Sequence, residues 1–118
     1  MTTTPDHAEL ARYRTVDFTT NGRRSGTPAR IEIWWFSVDG RFVITGTPGR
    51  RDWLANVIAD PRVVVHTPLG DHPGRATVVE DPEFRRRVFT DPEIGWYSTQ
   101  AQLDDLVAQA PMIEIHFD

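Results

Sequence analysis

Two short stretches of this chain concentrate groups that hold anions. The first is GRRSG, formed by Gly22, Arg23, Arg24, Ser25 and Gly26. Its glycines free the backbone to turn tightly and bring N–H groups close to a ligand, while two guanidiniums supply paired donors suited to phosphate or carboxylate. The second is TGTPGRR, formed by Thr45, Gly46, Thr47, Pro48, Gly49, Arg50 and Arg51, directly ahead of a helical pattern. A helix start already carries unpaired N–H groups and the positive end of the helix dipole, so spare cations are not normally placed there. Either Arg50 and Arg51 pair on the surface with Asp52 and Asp60, or an anion comes to sit between them. For the first stretch the plainer alternative is a solvated basic hairpin tip.

The charge map favours the anion. The net charge is −4, yet residues 22–51 hold six arginines (Arg23, Arg24, Arg30, Arg41, Arg50, Arg51) against Glu32 and Asp39, a local +4 that leaves −8 elsewhere. A chain this acidic is not a general nucleic-acid binder, but one part of it is built for a negative ligand. All 13 basic residues are arginine, which excludes lysine Schiff-base chemistry and a P-loop lysine. The lack of cysteine excludes disulfides, thiolate nucleophiles and cysteine-ligated metals. His66 and His72 have a spacing that suits neither one helix face nor a finger, so no metal site is expected.

The elements that position these stretches follow from periodicity. At 118 residues the chain is expected to be one domain, residues 1–118, with residues 1–11 a flexible or short helical extension. RYRTVDFTT alternates as a strand, NGRRSGTP is a loop, and ARIEIWWFSV reads as one long second strand that Asp39-Gly40 turns into RFVITG. In that long strand Ile31, Ile33 and Trp35 share one face, while Glu32, Trp34, Phe36 and Val38 share the other. Both faces are apolar, as in a barrel strand covered outside by a helix, a ligand or a second subunit.

DWLANVIAD predicts a helix with Trp53, Leu54, Val57 and Ile58 on its apolar face, stopped by Pro61. PRVVVHTP and GRATVVE predict two strands joined through LGDHPG as a turn. Asp81-Pro82-Glu83 opens a short helix with Phe84 and Val88 inward and Arg85, Arg86 and Arg87 on a solvated face. Thr99 and Gln102 fit a capping box for a last helix whose stripe is Leu103, Leu106, Val107 and Ala110. MIEIHF then closes as a strand with His116 exposed. The expected fold is α+β: an antiparallel split β-barrel of about six strands with two or three short helices.

The strings TTNGRRSGTPARIEIWWF, GTPGRRDWLANVIADPRVVVH, ATVVEDPEFRRRV and APMIEIHF resemble the deazaflavin-dependent nitroreductase and quinone-reductase family. The resemblance runs in order from about Thr15 to Phe117. It implies the split-barrel fold shared with FMN-binding flavoproteins and a cofactor, coenzyme F420 or alternatively FMN. By resemblance, residues 22–26 and 45–51 hold the cofactor's phosphate and acidic tail, with Trp53 supporting the helix and Trp35 and Trp96 in the substrate pocket. Tyr97 and Ser98 would then donate a hydrogen bond or proton to the product of hydride transfer. The plainer alternative leaves Trp96 and Tyr97 merely closing the barrel. One position departs from the family: an arginine commonly follows the loop proline, whereas here Ala29 does and Arg30 comes next, which in a strand turns the side chain to the opposite face.

The expected activity is hydride transfer to a small electron-poor acceptor such as a quinone, enone or nitro compound. A rival of another class is a non-catalytic binder of a deazaflavin, haem or lipid-like ligand. The expected setting is cytoplasmic, without membrane or nucleic-acid partners, since MTTTPDHAEL lacks a secretory pattern. A homodimer is expected because one of Trp34 and Trp35 must face outward.

Overall fold

The structure, a computed structural model, describes residues 5–92, 94 and 102–118. Its elements run in chain order as α1 (His7–Leu10), β1 (Thr15–Asn21), β2 (Pro28–Trp34), β3 (Phe36–Val38), β4 (Arg41–Thr45), α2 (Asp52–Ala59), β5 (Arg62–Thr67), β6 (Gly70–Val78), α3 (Pro82–Phe89), α4 (Leu103–Gln109) and β7 (Met112–Phe117). The strands form one antiparallel sheet in the order β2-β1-β5-β6-β7-β4-β3, curled into a half-barrel. The expected α+β split barrel is the observed fold, with seven described strands in place of six.

The extra strand comes from a break at Trp35. The expected long second strand pairs with β1 as far as Trp34, then with β4 from Phe36, so one residue carries the chain from one edge of the sheet to the other. Trp35 is buried there, stacked on Phe42 at 4.7 Å between ring centroids, with its indole N–H donating to the Tyr13 carbonyl. Trp34 points the other way and is exposed. A strand pattern cannot reveal such a change of partner, because alternation continues through it.

Two apolar clusters flank the sheet. Phe18, Trp35, Phe42, Ile44, Val65 and Ile113 meet Leu10 of α1 and Trp53 and Val57 of α2 inside the curl. Phe36, Val38, Val43 and Met112 form a second cluster with Phe84 and Val88 of α3 and Leu106 of α4. Helices therefore cover Trp35 on one face and Phe36 and Val38 on the other, with Ser37 exposed, whereas β2 is exposed along most of its length, including Ile31.

The Asp39-Gly40 hairpin has positive φ at both residues, 53° and 77°, the primed turn that dipeptide favours. Asp81 caps α3 by accepting the Glu83 N–H, as its position ahead of Pro82 implies. Thr99, the expected cap of the last helix, lies outside the described residues; Gln102 occupies the N-cap position without a side-chain bond.

Three local expectations are corrected. The turn between β5 and β6 is only Pro68-Leu69, and residues 70–74 of the supposed turn belong to β6. Pro73 is tolerated because its backbone faces away from β5: its carbonyl accepts the Asp118 N–H, so the missing proline N–H takes no bond from that ladder. Ile58 is 67% exposed and lies off the apolar face of α2. Arg85 is buried, not solvated, and donates to the main-chain carbonyls of Val79, Val107 and Ala110. Val107 has a spare carbonyl because its helical acceptor role would require an N–H at Pro111. Arg86 and Arg87 are exposed, paired with Asp104 and with Asp39 and Asp91 respectively.

Candidate functional site

The two arginine-bearing stretches converge on α2. Residues 22–27 link β1 to β2, and Gly26 takes a φ of 71° that suits glycine. This hairpin tip is docked by Arg23, whose main-chain N–H and Nη1 both donate to Asn56 Oδ1, at 3.2 and 3.0 Å. Its Nη2 lies 3.3 Å from Asp52. Asn56 is buried one turn into α2, and its amide donates to Thr20 Oγ1 of β1 at 3.0 Å. Loop, helix and strand thus share one buried amide. Asn56 was visible in the DWLAN string as a polar residue in an apolar helix, yet neither its burial nor its partners could be read from spacing.

Residues 46–51 enter the same helix from β4. Thr45 is buried, with its hydroxyl donating to the Pro111 carbonyl at 2.6 Å. Arg51 is the N-cap of α2 and makes no side-chain cap. Its guanidinium turns back into the loop, with Nη2 donating to the Thr47 carbonyl at 3.0 Å and Nη1 to the Arg50 carbonyl at 3.1 Å. Arg24 and Arg50 are exposed, and among the described residues their guanidiniums have no hydrogen-bond or ion-pair partner. The acids that offered a plainer account of the arginine pair are engaged elsewhere: Asp52 with Arg23, and Asp60 with Arg62 and Asn21. Those bonds hold the Asp60 carboxyl well below the usual carboxylate range, the Arg62 bond first.

The result is an anion-receptive patch. The first-turn N–H groups of α2 lack a side-chain cap, the helix dipole adds positive potential, and exposed Arg50 and Arg24 belong to the two loops that meet there. Ser25 accepts the Thr27 N–H and so shapes the hairpin. Trp53 is buried beneath the helix with its ring edge-on to Phe18 at 6.1 Å, a supporting place. Arg30 is not part of this patch: it lies on the outer face of the sheet, 2.9 Å from Asp17.

That outer face carries a separate polar hollow of about 310 Å³, lined in part by Asp17, Arg30, Glu32, His66 and Asp71. Asp71 lies 2.8 Å from His66 Nδ1, a bond that holds its carboxyl below the ordinary range, and Thr19 Oγ1 lies 2.8 Å from His66 Nε2. His72 is buried on the opposite face, edge-on to Phe117, so the two histidines do not face one another. Trp35 borders a small hollow of about 120 Å³ with His7, Ala11, Tyr13, Arg14 and Ser37. Trp96, Tyr97 and Ser98 lie outside the described residues.

A half-barrel sheet of seven described antiparallel strands, with two glycine- and arginine-bearing loops at one helix start, defines the class as a split-barrel protein. Structural comparison agrees. An F420-H2 dependent reductase (FDR-A) superposes with a TM-score of 0.65 at 22% identity, covering 88% of this chain and 95% of that one. A putative pyridoxamine 5'-phosphate oxidase from Listeria innocua gives 0.69 at 14%, covering 95% and 90%. A FAD-binding protein from Mesorhizobium loti gives 0.64 at 16%, covering 97% and 91%. None of the curated proteins matches the chain in sequence. The family model described as F420H(2)-dependent quinone reductase matches residues 8–105, and the chain belongs to that family of oxidoreductases.

Proposed function

We propose that the chain binds coenzyme F420 across residues 22–26 and 45–51 and reduces a small electron-poor acceptor, a quinone, enone or nitro compound. The observation that carries this reading is the meeting of both arginine-bearing loops at the uncapped first turn of α2. F420 carries a phosphodiester and an oligoglutamate tail, and the donor set fits such a polyanion: Arg24, Arg50 and the α2 amides would hold it. When bound in its reduced form, the cofactor supplies a hydride to the acceptor.

The chain's own residues orient and shield that exchange. Arg23 and Asn56 fix the hairpin against α2, and Trp53 keeps the helix seated. Tyr97 or Ser98 would donate the proton or hydrogen bond that the acceptor needs after gaining a hydride, and Trp35 and Trp96 would border its pocket. A flavin is the second reading, favoured by the likeness to a FAD-binding split barrel. A non-catalytic binder of the same cofactor is the third. The exposed Ile31 and Trp34 on edge strand β2 support a homodimer.

Titration with F420 and with FMN, followed by oxidation of reduced F420 in the presence of quinones, enones and nitroaromatics, tests these readings together. Selective F420 binding with turnover is the expected result. Binding without turnover on any acceptor selects the non-catalytic reading, and FMN preference refutes the cofactor assignment.

A further inference from the structure

Residues 50 and 51 are adjacent arginines in the same loop, but their side chains do different things. Arg51 threads its guanidinium through the turn made by residues 46–50. Besides its bonds to the carbonyls of Thr47 and Arg50, Nη2 lies 3.4 Å from Thr47 Oγ1. Two glycines leave room for it: a Cβ at Gly46 would sit 3.4 Å from Nη2, and one at Gly49 would sit 2.9 Å from Nη1. Gly49 also has a φ of 145°, a conformation side-chain-bearing residues rarely adopt. The glycines of this loop thus accommodate an internal guanidinium, a use separate from close approach to a ligand.

We propose that Arg51 is a positioning residue that holds the 46–50 loop in shape from within, and that the ionic contact to a phosphate or carboxylate ligand falls to Arg50. This inference rests on the proposed anion site for its second half only. Rotating Arg51 toward a ligand would leave the Thr47 and Arg50 carbonyls without these donors, so its fork is committed to the loop. Arg50 has no such commitment and is exposed beside the start of α2. Arg23 follows the same logic in the facing loop, where its fork is used on Asn56 and Asp52 and Arg24 stays exposed.

Two measurements decide it. Hydrogen exchange over residues 46–52 of the ligand-free protein reports loop order without reference to any cofactor. Arg51→Gln is expected to speed exchange there roughly tenfold, as loss of two or three hydrogen bonds implies, and Arg50→Gln to leave it unchanged. Binding of F420, and of inorganic tripolyphosphate as a bare polyanion, is then measured across a salt series. Arg50→Gln should flatten the salt dependence, because a screened ionic contact has gone. Arg51→Gln should weaken binding roughly tenfold with the salt dependence kept, and Gly49→Ala should copy it with the arginine intact. Unchanged exchange together with a flattened salt dependence in Arg51→Gln overturns the proposal. If the unaltered protein binds tripolyphosphate but not F420, the cofactor reading fails and the division of roles stands. If it binds neither, the ionic role of Arg50 is refuted, while exchange still decides the role of Arg51.

Discussion

Replacing Arg85 by methionine should cost this small protein a large part of its stability. The side chain is 7% exposed and gives its three directions of hydrogen bonding to the carbonyls of Val79, Val107 and Ala110, joining the end of β6 to the end of α4 through α3. Methionine preserves much of the volume and removes every donor. Burial pushes the Arg85 guanidinium pKa down, so desolvation already offsets part of what the bonds contribute. The loss is then set by three orphaned acceptors at about 1 kcal/mol each, the low end for buried groups, or about 3 kcal/mol. The unfolding entropy of a chain this size is about 0.25 kcal/mol/K, which converts that loss to a fall in Tm of about 12 °C. Arg85→Lys keeps the charge but not the planar fork, so it should rescue about a third of the loss. Thermal unfolding followed by circular dichroism, with urea titration as a check, measures both. A methionine variant melting within about 2 °C of the parent would refute the claim that these bonds hold α3 and α4 together.

Other expectations follow from packing and protonation. Gly74→Ala places a Cβ 2.5 Å from the His116 carbonyl, so β6 and β7 must separate; a loss of about 3 kcal/mol in urea unfolding is expected, and a neutral result would contradict the register. His7 sits edge-on to Trp35 and Phe42, and its burial holds the ring below the usual histidine range against the opposing pull of Asp6. The unfolded chain therefore binds a proton that the folded chain resists, and this contribution is complete above about pH 6.5 and is lost as pH falls below it. His7→Gln should remove that part of the acid sensitivity between pH 7.5 and 5, read by urea unfolding at each pH. If β2 mediates a homodimer, Ile31→Asp with Trp34→Asp should halve the mass found by light scattering, and a monomeric parent protein would dispose of the interface.

Local chemistry made much of this molecule readable in advance. Asp39-Gly40 specified its turn because few dipeptides accept positive φ twice, and Asp81-Pro82 specified a helix start because the carboxylate and the fixed proline φ act on adjacent backbone. Alternation located most strands, and residue type marked the arginine-bearing loops 22–26 and 45–51 that flank α2, although Arg30 and Arg41 of the same charged stretch lie elsewhere. Trp34 and Trp35 were bound to diverge, since neighbouring residues in extended chain face opposite ways.

Other features were decided by partners distant in sequence. The break at Trp35 exists because β1 and β4 compete for one extended segment. Residues 70–74 look like a turn, yet form strand because β5 supplies the pairing partner. Arginine shows the limit most clearly. Its type fixes a charge and a donor fork, but a side chain that long points wherever the surrounding fold offers acceptors. Arg24 and Arg50 stayed exposed, whereas Arg23 was drawn to Asn56, Arg51 to its own loop and Arg85 to carbonyls that Pro111 and the end of α4 left over. Sequence alone determined where positive charge would fall along the chain and that Asp39-Gly40 would turn, because those depend on residue type and near neighbours. Tertiary structure decided which charges remain available to a ligand, because that depends on which acceptors the fold brings within reach.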